Sequence, residues 1–148
     1  MWITARRFIF LQLFFLVLSF NTAHAASPPS LILKDKSSYD LSGHLEKLID
    51  PTHKLSVEQA AGHSDWSGPL HGRVLNFGLM KDSLWLRFSL ENRDDRPQKF
   101  FVSFEYPVIN AITFYSKKHG GDFQEDRTGS IVPASERVVP DRHFLFPL

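Results

Sequence analysis

Five residues have the types and positions that could recognise a ligand: Trp85, Arg87, Glu105, Tyr115 and Arg137. An aromatic ring can stack on the apolar face of a sugar, and Arg or Glu can hydrogen-bond its hydroxyls or a carboxylate. The competing reading is architectural. Trp85 and Arg87 would then stack on each other or pack under a loop, with the guanidinium reaching water at its tip. A metal centre is a poorer fit. His63, Asp65 and His71 share one stretch, but zinc needs three or four ligands with an oriented second shell. His63-x-Asp65 is not a ligand spacing, and His24, His44, His53, His119 and His143 are scattered. No metal and no cofactor is expected. Catalytic patterns are missing as well: there is no Gly-x-Ser-x-Gly elbow, phosphate loop or zinc-protease helix. Asp94 and Asp95 sit in a charged turn. Glu91 and Glu105 would have to face each other across a cleft to act as a glycosidase pair. The chain therefore reads as non-enzymatic.

The stretch 81–92, KDSLWLRFSLEN, must position the first two of these residues. Leu84, Leu86, Phe88 and Leu90 alternate with Trp85, Arg87, Ser89 and Glu91. Successive strand side chains point to opposite faces, so this pattern predicts a strand with one apolar face and one partly wet face. The wet face carries Trp85 and Arg87. If pairing is sequential, Glu105 and Tyr115 project from neighbouring strands, and Arg137 adds a second cation from a connecting loop.

The N-terminus gives an address. Arg6 and Arg7 precede an apolar run over 8–20, and Ala23-His24-Ala25 matches a small-x-small cleavage site. That order predicts a secretory signal peptide over 1–25, cut after Ala25, because a membrane anchor needs about 20 apolar residues. Losing Arg6 and Arg7 leaves 15 basic against 16 acidic side chains, a formal charge of −1. No basic cluster remains to track phosphates, so nucleic acid is not an expected partner. With no cysteine in 148 residues, the fold must rest on its core rather than on disulfides.

Residues 26–40 read as a leader with a first strand at Leu31-Ile32-Leu33. Leu41, Leu45, Leu48 and Ile49 fall on one face of a short helix, with Gly43 against it. Ser56 and Gln59 predict a capping box opening a second short helix, closed by Gly62. Residues 63–73 read as a loop, and Val74 to Gly78 lead into the strand at 81–92. Residues 100–106 alternate again, with Phe100, Val102, Phe104 and Tyr106 on one side. A strand over 108–116 has Ile112 and Phe114 inward and Thr113 and Tyr115 outward. His119-Gly120-Gly121-Asp122 predicts a hairpin turn, since glycine accepts positive φ. A return strand begins at Phe123, and Phe144, Phe146 and Leu148 alternate at the end. Short strands at about ten-residue intervals predict a mainly β, antiparallel sandwich with one or two short helices near its start.

Residues 75–92, LNFGLMKDSLWLRFSLEN, resemble the signature of the type-two extracellular domain of bacterial seven-transmembrane receptors with diverse intracellular signalling modules (7TMR-DISM). Tyr106-Pro107 followed by Ile109, Ile112, Phe114 and Tyr115 resembles the next two strands. Gly129, Ser135-Glu136-Arg137 and residues 144–148 resemble the segment after the hairpin. Upstream, Leu48-Ile49-Asp50-Pro51 and Leu55-Ser56-Val57 resemble the entry. The resemblance implies a jelly-roll-like sandwich over 41–148, similar to carbohydrate-binding modules. It implies a periplasmic sensor of a small ligand, a carbohydrate among the candidates, tethered to the inner membrane by a downstream seven-helix region. Any catalysis, such as diguanylate cyclase or histidine kinase activity, would then lie in a further module. Because neither helices nor output appear here, the resemblance implies a C-terminally incomplete domain or an abbreviated relative. A free-standing secreted carbohydrate-binding module and a structural dimerisation domain are the alternatives.

Overall fold

Pairing of the strand at 81–92 changes partner midway, and this sets the layout. The computed structural model describes residues 28–34, 36–70, 77–106 and 108–148. Among them, β3 (Ser83–Arg87) runs antiparallel to β2 (Glu46–Asp50), while β4 (Ser89–Asn92) runs parallel to β1 (Ser30–Leu33). Phe88 lies at the switch, outside both strands, and packs against the core. Two further antiparallel pairs complete the described sheets: β5 (Phe101–Phe104) with β8 (Phe144–Pro147), and β6 (Ile112–Ser116) with β7 (Gln124–Thr128).

The mainly β expectation holds, with small and mostly antiparallel sheets. The β1–β4 pair departs from it. Parallel pairing needs a long connection, and the chain between β1 and β4 supplies one. The predicted signal peptide and the stretch 71–76, with His71 and Val74, lie outside the described residues.

The core is aromatic. Phe144, Phe146 and Val102 are buried, with Leu41, Phe88, Phe104, Ile109, Ile112 and Phe114 packed around them. Register explains the choice. Val102 pairs with Phe146 and Phe104 with Phe144, so the inward positions of both strands fall on one face. Phe114 stacks on Phe146 at 4.5 Å, joining β6 to that face. The inward positions predicted for Ile112 and Phe114 are those observed. Tyr106 lies beyond β5 and is exposed, so the predicted alternation ends before it.

The helix predicted across Leu41 to Ile49 does not form. A 3-10 turn at Ser42–His44 leads directly into β2. Leu45 and Leu48 are buried, whereas Ile49 is 45% exposed, so the supposed apolar face is split. Gly43 weakens a helix, and five residues of pairing with β3 outweigh what propensity remains. The second helix does form, as α1 (Val57–Ala61). Ser56 Oγ accepts from the Gln59 amide at 3.2 Å, and Gln59 Oε1 accepts from the Ser56 amide at 2.9 Å, closing the predicted box. The predicted hairpin joins β6 to β7, with Gly120 at φ 75° and the Gly121 amide donating to the Lys118 carbonyl.

Candidate functional site

The β2–β3 pair carries two of the candidate residues, Trp85 and Arg87, on a face that is largely covered. In register, Glu46 stands opposite Arg87, Leu48 opposite Trp85 and Asp50 opposite Ser83. These six share one side of the pair. Leu48 is 4% exposed and Asp50 2%, whereas Ile49 on the other side is 45% exposed. Every residue of β3 is half-buried. The Trp85 and Arg87 face is thus partly wet as predicted, whereas the Leu84 and Leu86 face, predicted to lie in a core, is only half-buried.

Arg87 is held from two directions. Its Nε donates to Glu46 Oε2 at 2.8 Å, and its guanidinium lies 4.3 Å over the Trp66 ring. The two charged side chains are only 17% and 15% exposed. Trp66 reaches this position because residues 66–70, predicted as part of a loop, form a strap along the free edge of β2. Ser67 and Lys47 exchange two backbone hydrogen bonds, at 2.8 and 2.9 Å, and the Leu70 amide donates to the Leu45 carbonyl at 2.8 Å. One position back from Ser67, Trp66 falls on the face of Leu48 and Trp85. Its indole Nε1 donates to the Ala60 carbonyl at 2.8 Å, tying the strap to α1. The ion pair couples two strands in a half-dry place. A double-mutant cycle with Glu46→Gln and Arg87→Met should give a coupling of about 1 kcal/mol in urea unfolding. Additive single effects would show that the pair contributes nothing.

Trp85 stacks on Tyr115 with ring centroids 5.9 Å apart and planes 20° apart. Tyr115 in turn meets Phe123 edge-on, at 6.5 Å and 83°. The indole Nε1 of Trp85 is buried and has no hydrogen-bond partner among the described residues. Burial pushes the Tyr115 hydroxyl above its ordinary pKa, and the Glu125 carboxylate beside it adds to the rise. Glu125 stands opposite Tyr115 in the β6–β7 register.

The other two candidates lie elsewhere. Glu105 is exposed just beyond β5. Arg137 lies over the Phe144 ring at 5.1 Å, and its three guanidinium nitrogens donate to the carbonyls of Val132, Asp141 and Gly129 at 3.0–3.3 Å. It organises the connection between β7 and β8. The structure thus brings Trp85 and Tyr115 together, and joins Arg87 to two residues that sequence reasoning missed, Glu46 and Trp66. Glu46 was hidden inside the apparent helix. Trp66 carried a signal, since a large aromatic in a polar loop needs something to pack on. No group of three or more His, Asp or Glu among the described residues is placed to hold a metal ion.

Asp50 fastens the turn that follows β2. Its carboxylate accepts from the Thr52 hydroxyl at 2.5 Å, the Thr52 amide at 2.9 Å and the Leu55 amide at 3.1 Å. The Thr52 hydroxyl and these backbone donors hold its pKa at about 2, below the ordinary 3.8. A depressed carboxylate contributes stability that is fully present above the unfolded pKa and is lost as pH falls toward the folded one. Thermal midpoints should therefore decline as pH drops through 3.8 toward 2, and Asp50→Asn should remove that part of the decline. An identical decline in the variant would contradict the assignment.

A family model described as 7TMR-DISM extracellular 2 matches residues 42–148. Comparison with curated proteins and with solved structures gave no match. Among the described residues, no helix is long and apolar enough to cross a membrane.

Proposed function

Because the chain belongs to the 7TMR-DISM type-two extracellular domain family, we propose that it is a non-enzymatic periplasmic sensor domain that recognises a small ligand. The single observation that carries this reading is the family match over 42–148. The covered face of β2 and β3 supports it. Two indoles, a tyrosine and a half-buried ion pair lie together there, which suits a ring bearing hydroxyl groups. A carbohydrate is accordingly the first ligand class to test, on a scaffold that the family resemblance makes jelly-roll-like. The signal peptide cut after Ala25 would deliver the domain across the inner membrane. A seven-helix region of the parent receptor would tether it there.

Signalling in such a receptor requires the ligand to bind two states of the protein with different affinities. The Glu46–Arg87 ion pair and the Trp66, Trp85 and Tyr115 rings of this face are already engaged with neighbouring groups. A ligand that exchanges with those contacts would therefore alter how the strap at 66–70 and β6 sit on β3. Calorimetric titration of the expressed chain with a glycan panel is the test. Saturable binding is expected, lost in Tyr115→Leu while circular dichroism still reports a folded β protein. A panel with no binder would overturn carbohydrate sensing. Binding unaffected by Tyr115→Leu would overturn the site.

A further inference from the structure

The β6–β7 hairpin sets two perpendicular aromatic rings side by side, with a cation over one of them. Tyr115 and Phe123 form the two walls of this corner, their planes at 83° and their centroids 6.5 Å apart. Trp85, stacked on Tyr115, holds the first wall in place. The ammonium of Lys117 lies 5.0 Å from the centroid of the second wall, Phe123. Two carboxylates complete the setting. Glu125 stands opposite Tyr115 in register, and Glu58, from α1, acts electrostatically on both Tyr115 and Lys117. Arg127 pairs with Glu125 and offsets part of its charge.

Ring faces attract cations, and the Phe123 face beside Tyr115 already holds one. Lysine is a flexible, strongly hydrated point charge. Lys117 is exposed, so it can leave its position over Phe123 at little cost. We propose that the Tyr115–Phe123 corner recognises an organic ammonium group on a small ligand, and that Lys117 is a tethered occupant which the ligand displaces. This rests on the sensor reading and narrows its ligand to amine-bearing compounds. A free or methylated amine fits the corner. Lys117 acts as a built-in competitor that sets the threshold for binding.

The test uses the expressed chain, choline chloride at constant ionic strength, and the neutral carbon isostere 3,3-dimethylbutanol. Binding is followed by intrinsic fluorescence. Choline should bind saturably and more tightly than the isostere. Lys117→Gln should tighten choline by roughly two- to fivefold, the effect of removing one exposed cation–π competitor. Phe123→Leu should weaken choline severalfold. Should that variant prove unfolded by circular dichroism, the Lys117→Gln comparison decides alone. Equal affinity for choline and the isostere would overturn the proposal, as would absence of choline binding to wild type and Lys117→Gln alike. Neutral glycans titrated in parallel separate the two readings. If glycans bind and choline does not, the corner proposal fails and the sensor reading stands. If choline binds and no glycan does, the corner proposal stands and the carbohydrate assignment fails.

Discussion

Phe144→Ala should destabilise the domain by about 3–5 kcal/mol, the cost of emptying a buried phenylalanine site. Phe144 is 1% exposed and is the most completely buried large side chain among the described residues. It pairs in register with Phe104, lies next to the Val102–Phe146 pair, and carries the Arg137 guanidinium over its ring at 5.1 Å. Truncation would therefore open a cavity in the core and remove the surface on which Arg137 rests. Domains of this size are stable by about 5–15 kcal/mol, so the loss would be a large fraction of the whole. Urea unfolding with matched m-values is the measurement. Phe144→Leu, which keeps most of the volume, should recover more than half of the loss. A cost under about 1 kcal/mol for the alanine variant would place the core elsewhere.

Gly129→Ala should cost on the order of 2–5 kcal/mol, through a forbidden contact and a strained backbone together. Gly129 has φ 144°, and a β-carbon added there would lie 2.0 Å from the Asn110 carbonyl oxygen. That oxygen is part of the seam that joins the end of β7 to the segment before β6. The Ser130 amide donates to the Ile109 carbonyl at 2.8 Å, and the Ile131 amide to the Asn110 carbonyl at 3.4 Å. The Gly129 carbonyl in turn accepts from Arg137 at 3.3 Å. One methyl group would push the strands apart at the point where the β7–β8 connection is anchored. Gly43→Ala, where the added carbon meets nothing within 4 Å among the described residues, is the control and should stay within about 0.5 kcal/mol. Equal stability of the two variants would mean that the close approach at Gly129 does not exist.

The apolar beat of the sequence was legible wherever strands bury ordinary hydrophobic residues. Val102, Phe144, Phe146, Ile112 and Phe114 all face the core that their alternation implied. Local chemistry was equally readable. The Ser56–Gln59 box and the Gly120 turn need only nearby residues, and both formed. β2 was not legible, because its inward positions are Glu46, Leu48 and Asp50. Two of these three are charged, one paired with Arg87 and the other bonded to its own turn. A charged residue in an inward position destroys the two-residue signal, and the neighbouring leucines then mimic a helix. The parallel β1–β4 pair was beyond reach for a different reason: strand direction depends on the path of the intervening chain, not on either strand's composition.

The candidate site divides the same way. Trp85 and Tyr115 were placed on outward faces of neighbouring strands, and they meet. Arg137 was assigned to a ligand by its charge, yet its guanidinium is committed to three backbone carbonyls. Charge alone cannot distinguish a cation that waits for a ligand from one that satisfies a loop. Trp66 and Glu46 became visible only with the register that brings them to Arg87.

On β3, Trp85 stacks on Tyr115 and stands opposite Leu48, with its indole Nε1 shielded from water. Acrylamide quenching of a Trp2→Phe, Trp66→Phe double variant isolates Trp85 as the sole indole. The account predicts blue-shifted emission and quenching well below that of the urea-unfolded chain, with both differences lost on unfolding. Emission and quenching already equal to the unfolded chain under native conditions would contradict it.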